Sequence, residues 1–146
     1  MDNIGILVHI RTMLHQENTN TQARLDDPRA SSVAKHAFFR VMELWRVTNE
    51  DALVLLGSPG RSTFFSWKKG QGGALPRDTF ERISYVLGIY KALQILFDDP
   101  VQADAWVSKA NDAFGGKSAL DRMVAGNISD LHAVRAYLDY VRGGGS

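Results

Sequence analysis

Between Arg61 and Lys69 the chain reads Arg-Ser-Thr-Phe-Phe-Ser-Trp-Lys-Lys. These side chains are suited to contact with nucleic acid. Arginine can read guanine bidentately, and serine or threonine bonds phosphates or several base edges. Lysine neutralises phosphate. If the segment is helical, Phe64 and Trp67 share one face, and Arg61, Ser62, Phe65, Ser66 and Lys69 lie opposite. Thr63 and Lys68 complete the candidate DNA-binding set, with Lys68 and Lys69 placed for phosphates near the helix end. Phe65 suits either a thymine methyl or the core. The plain alternative is an αα-hairpin whose lysines are solvated and favoured there by the helix dipole.

Other residues resemble catalytic signals but fail on spacing. Gly116-Lys117-Ser118 matches the end of a phosphate-binding P-loop, but the glycine required five residues earlier is Asn111. The motif also needs a preceding strand, and the residues before it have helical periodicity. The four histidines, His9, His15, His36 and His132, have no metal-binding spacing, so no metal is expected. Asp26-Asp27 and Asp98-Asp99 both precede proline, as turns do, and Glu50-Asp51 suits the first turn of a helix. Gly70-Gln71-Gly72-Gly73 lacks the dinucleotide-binding pattern. With no nucleophile–base pair in view, a non-enzyme without cofactor is expected.

The apolar spacing defines the elements that position these residues. Val33, Ala37, Phe38, Val41, Met42, Leu44 and Trp45 make a broad helical stripe over 33–46. Thr48 is placed as an N-cap with Asp51 three residues on. Ala52, Leu53, Leu55 and Leu56 follow, and Gly57 ends that helix. Ser58 as cap and Pro59 as first helical residue are expected to open the next, which runs from Arg61 to Lys69. Pro76 opens a longer helix with Phe80, Ile83, Val86, Leu87, Tyr90, Leu93 and Phe97 at intervals of three or four. Val101–Phe114 is expected as one helix, stopped by Gly115-Gly116. Ser118–Val124 makes a short one. The last carries Leu131, Val134, Leu138 and Val141 on one face. At the front, Ile4–Gln16 has amphipathic spacing, and 17–31 is expected as a linker or arm. Gly143–Ser146 is expected as a flexible tail. No strand pattern stands out, so the fold class is all-α with about seven helices.

The chain has 146 residues, 45% hydrophobic and 23% charged, which excludes wholesale disorder and suits a self-sufficient core. It has no cysteine, which excludes a disulfide scaffold, a thiolate metal site and a cysteine nucleophile. The run Ile4–Ile10 is too short to span a bilayer and lacks signal-peptide flanks, so a soluble cytoplasmic protein is expected. Net charge is +1, unevenly spread: residues 58–91 carry six Lys/Arg against two Asp/Glu, and 92–146 carry five against seven. A basic middle suits an anionic partner.

In the final third, Trp106, Asn111, Phe114-Gly115-Gly116-Lys117-Ser118-Ala119-Leu120, Gly126 and the helix from Leu131 to Val141 resemble the toxin-binding domain of Xre/MbcA/ParS-type antitoxins. Upstream, Leu55-Leu56-Gly57, Ser62-Thr63-Phe64 and Trp67-Lys68-Lys69-Gly70 resemble the Xre-type helix-turn-helix of the same proteins. Together they cover about residues 35–142. Ser118 stands where many relatives have proline, and residues 1–32 fall outside the pattern. The resemblance implies a helix-turn-helix domain over 33–97 and a toxin-binding domain over 98–146, which leaves 1–32 as an N-terminal helix and linker or arm outside it. It also implies a RES-domain toxin partner that consumes NAD or transfers ADP-ribose from it, neutralised by covering its active-site entrance. It further implies repression of the protein's own operon, as a homodimer on operator DNA. By position, Trp106 and Asn111 would shape the toxin-binding domain. Gly115, Gly116, Lys117 and Ser118 would form its turn, and Arg135, Tyr137, Tyr140 and Arg142 would reach toward the toxin. Read as residues alone, Trp106 is a core side chain, and Tyr137 and Tyr140 are half-buried with wet hydroxyls. Two other readings stand beside the antitoxin. One is a stand-alone helix-turn-helix repressor whose C-terminal part only dimerises or binds a ligand. The other is a binding module that has lost DNA contact.

Overall fold

The computed structural model describes residues 28–144. Expectations for Ile4–Gln16, His9 and His15 fall outside them. Among the described residues seven α-helices follow one another: α1 Pro28–Trp45, α2 Asn49–Leu55, α3 Arg61–Lys68, α4 Arg77–Leu96, α5 Pro100–Trp106, α6 Ala119–Met123 and α7 Ile128–Arg142. A 3-10 turn, Asp112–Phe114, lies between α5 and α6. Among the described residues there is no strand, only an isolated bridge between Ala110 and Ser118. No described helix is long and apolar enough to cross a membrane.

The centre is α4, which packs against α1, α5 and α7. Val86, Leu87, Gly88, Ile89, Tyr90, Ala92 and Leu93 are buried in unbroken contact with neighbours on several sides. From α1, Ala34, Ala37, Phe38, Val41, Met42 and Trp45 form the facing stripe. Each large side chain fully buried here contributes about 1.5–3 kcal/mol. α4 and α7 run parallel: Arg82 donates to the Gly126 carbonyl, Tyr85 meets His132, and Arg135 lies on Gly88. A glycine inside a helix costs about 1 kcal/mol against alanine. At Gly88 the missing side chain leaves room for the Arg135 guanidinium, which lies across the helix there.

A polar junction links α1, α4 and α5. Burial and the nearby Asp104 carboxylate push the Tyr90 hydroxyl up to about 12, with Arg40 opposing. Burial also raises Asp104, while a hydrogen bond from Gln94 and the charge of Arg40 hold it down.

Three expectations are corrected. Residues 28–31 are helical rather than linker: α1 starts at Pro28, and its first turns are anchored where Ser31 Oγ accepts the Leu75 N–H at 3.0 Å. Ser58-Pro59 does not open α3. Ser58 has φ +58°, the left-handed region, whereas an N-cap needs extended backbone. Its N–H instead closes α2 on the Leu53 carbonyl, and α3 starts at Arg61 after Gly60. The helix expected over 101–114 ends at Trp106. The Val107 carbonyl accepts from Leu120, and Asn111 Oδ1 starts a new turn by accepting from Ala113.

Candidate functional site

Two surfaces carry the candidate residues. The first is the α2–turn–α3 unit. Thr48 caps α2, with Oγ1 accepting the Asp51 N–H at 3.2 Å. Ala52, Leu55, Leu56, Phe64 and Trp67 are buried, and they wedge the two short helices together and onto α1. Phe64 meets Phe39 and Phe65 edge-on, at 5.4 and 5.1 Å between centroids. Burying this face leaves Arg61, Ser62 and Thr63 fully outward, and Phe65 and Ser66 half-buried. The Arg61 guanidinium lies 5.5 Å from the Phe65 ring centroid, so these two side chains form one amphipathic unit. Lys69 is exposed at the C-cap. Lys68 is exposed but engaged, donating to Asn49 Oδ1 at 2.8 Å and tying the end of α3 to the start of α2.

The second surface is assembled from α5, the 3-10 turn and α7. Asp99 caps α5 by accepting the Val101 N–H at 2.9 Å. Asn111 closes the following loop on itself. Its N–H donates to Lys117, its carbonyl accepts from Gly116, and its side chain holds Ala113. Gly115 and Gly116 both have left-handed φ, 68° and 83°, which lets the chain reverse at no steric cost. Ser118 and Asp121 make a reciprocal capping box at α6. The hydrogen bonds from Ser118 hold the Asp121 carboxylate below its usual range. At α7, Asp130 accepts from Arg122 at 2.8 Å and from the Asn127 N–H at 3.0 Å. The Arg122 bond is the main cause of its lowered pKa. The Arg122 bond ties α6 to the first turn of α7. Trp106 and Tyr137 then stack at 6.3 Å with only 12° between planes, and Phe114 meets both edge-on. All three are half-buried, and Tyr140, one turn on, is 55% exposed.

Residues 24–88 match the family model of the antitoxin Xre-like helix-turn-helix domain, and residues 92–144 match that of the antitoxin Xre/MbcA/ParS C-terminal toxin-binding domain. The chain is an Xre/MbcA/ParS-type antitoxin. It is similar to an uncharacterized protein, y4oB, of Sinorhizobium fredii (strain NBRC 101917 / NGR234), 56% identical over 108 residues. Those residues are 74% of this chain and 83% of the relative. No solved structure matches it.

In this antitoxin the expected toxin-binding residues do not lie on one face. Trp106, Tyr137 and Tyr140 follow one side of α7. Arg135 is on the α4 side, across Gly88, where it pairs with Asp139 at 3.4 Å beside Tyr85 and His132. Asn111 and Ser118 spend their side chains on internal caps. Gly115, Gly116 and Lys117 are exposed on the turn, and Arg142 is exposed at the end of α7. The sequence reading did not single out Phe114 as a site residue, although it completes the aromatic group. It also missed Lys35, whose partners lie 36 and 38 residues away and leave no local signal.

Proposed function

We propose that this antitoxin neutralises a RES-type, NAD-consuming toxin by covering its active-site entrance, and that as a homodimer it represses its own operon through α3. On this reading residues 33–97 serve DNA, residues 98–146 serve the toxin, and the protein works in the cytoplasm without catalysis of its own. The observation that carries the toxin half is the aromatic group Trp106–Phe114–Tyr137, half-buried and continued outward by Tyr140. Tyrosine and tryptophan in such settings are the usual anchors of interfaces. Lys117 on the turn and Arg142 at the end of α7 are exposed cations. The outward row Arg61, Ser62 and Thr63, with Ser66 and Lys69, supports the DNA half. It sits on the second helix of a helix-turn-helix unit, the one that enters the major groove.

The test is co-expression with the neighbouring gene of the operon. The expected result is rescued growth and a stable complex that protects NAD. Growth arrest despite soluble antitoxin, with no complex, removes the toxin half and leaves a repressor whose C-terminal region serves only itself.

A further inference from the structure

Along the seam between α4 and α7 the charges follow an order. Arg77, Glu81, Ser84 and Gly88 lie at intervals of three or four, on one stripe of α4. His132, Arg135 and Asp139 make the neighbouring stripe of α7. The helices are parallel, so the two stripes share one scale: Tyr85 meets His132 edge-on, and the Arg135 guanidinium lies on Gly88. Read along the seam, Arg77 is positive and Glu81 negative, the Tyr85–His132 rings come next, then Arg135 is positive and Asp139 negative. Glu81, Tyr85, His132, Arg135 and Asp139 line one groove. Arg77 and Glu81 are exposed and have no ion pair among the described residues. Arg135 meets Asp139 through Nε at 3.4 Å, which uses one of the five N–H donors of a guanidinium.

Reversing this order turns every plus into a minus. A surface of that kind is complementary to its own copy turned end for end. In a two-fold dimer the same patch faces itself. An axis that lies in this face and crosses both helices at the Tyr85–His132 level runs the two copies antiparallel. Glu81 and Gly88 are about 10 Å apart along α4, with Tyr85 near the midpoint. The axis therefore brings Glu81 into the groove of the second copy, onto the partner's Arg135. Arg77 is four residues outside Glu81, and Asp139 is four outside Arg135, so Arg77 falls against the partner's Asp139. Symmetry makes each contact twice. A carboxylate against a guanidinium forms paired, charge-assisted hydrogen bonds. Tyr137 and Tyr140 lie on the other flank of α7, so such a dimer leaves the aromatic group open.

We infer that the α4–α7 face is the two-fold interface between two copies of this chain. Glu81 on the partner's Arg135 and Arg77 on the partner's Asp139 hold it, on either side of a Tyr85–His132 centre. It rests on the homodimer reading and assigns that dimer its surface.

The experiment is sedimentation equilibrium of the full chain, with each variant checked for folding by thermal melting. The wild type is expected to be a dimer. Glu81→Arg sets like charges together twice, which an interface tolerates poorly, so the dissociation constant is expected to rise about 100-fold. Arg135→Glu is expected to do the same. Mixing these two variants, each a monomer alone, is expected to restore a dimer, because the two copies then carry opposite charges at both contacts. Should Arg135→Glu not fold, Arg77→Glu and Asp139→Arg carry the same exchange. A wild type that stays monomeric overturns the homodimer reading and the interface together. A dimer that persists unchanged in both Glu81→Arg and Arg77→Glu keeps the homodimer and overturns this interface. Loss without recovery on mixing overturns the pairing. If Glu81→Arg leaves the dimer intact but breaks the toxin complex, the face belongs to the toxin and the interface is wrong.

Discussion

The α2–α3 unit and the α5–α7 surface solve opposite problems with the same helical material. In the first, one eight-residue helix supplies both the wedge that holds it, Phe64 and Trp67, and the polar row that faces outward, Arg61, Ser62 and Thr63. Its outward side chains are exposed, and Arg61 lies over the Phe65 ring. In the second, no single element contains the site. Trp106, Phe114 and Tyr137 come from a helix, a 3-10 turn and another helix, and they meet because the caps at Asn111, Ser118 and Asp130 fix the angles between them. A surface for a repetitive, charged polymer tolerates loosely held cations, since phosphate contacts position rather than specify. A surface for one protein partner needs rigid apolar anchors placed before binding.

The sharpest way to break this contrast is Trp106→Ala. If the aromatic group anchors the toxin, the complex weakens by about 30-fold or more, roughly 2 kcal/mol or more, while operator affinity stays as it was. Because Trp106 also packs against Tyr137, the companion variant is Tyr140→Ala, which removes an exposed ring with little effect on folding. It is expected to weaken the complex by about tenfold, the cost of a moderate interface anchor. Titration calorimetry with the purified toxin reads both. Unchanged affinity in both variants places the toxin elsewhere on the chain, and an equal loss of DNA binding erases the division between the two surfaces.

A smaller effect is expected from Arg61→Ala. A base-reading arginine contributes about 1–3 kcal/mol and fixes preference at one base pair. The variant should therefore bind the operator about tenfold more weakly and lose discrimination at one position, with the toxin complex intact. A loss that is uniform over all sequences would instead make Arg61 a phosphate contact. That would move the reading of bases to Ser62, Thr63 and Ser66.

The two surfaces were also unequally legible in the sequence. The short helices over 49–68 follow from Thr48, the apolar pairs and Gly57, because cap, wedge and outward row lie within one local period. The aromatic group was visible only as a family motif: Trp106 and Tyr137 are 31 residues apart, and no local pattern says they stack. Reading Trp106 as core was met only in part, since stacking on Tyr137 leaves the ring half-buried. The expected helix over 101–114 failed for a related reason. Its propensity is helical, but the Val107 carbonyl is claimed by Leu120 and the Asn111 side chain by Ala113, which are tertiary and capping bonds that override periodicity.

The smallest expected difference is in acid. Asp130 holds α7 at its first turn through Arg122 and the Asn127 N–H, and these bonds put its folded pKa below the unfolded carboxylate value of about 3.9. A group with a lowered folded pKa stabilises fully above the unfolded value and loses that contribution as pH falls through the folded one. Asp130→Asn keeps the shape but loses the charge. It is expected to cost about 1 kcal/mol near neutral pH, the size of a helix cap, and the gap from the wild type should close below about pH 4. Urea unfolding at a series of pH values measures that gap. Because Asp130 orients α7, the toxin complex should weaken along the same acid limb, while α3, which this cap does not touch, keeps its hold on DNA. A gap that persists into acid means Asp130 acts by packing. A DNA affinity that falls on the same limb means the two surfaces share the α7 anchor through α4 and are not independent.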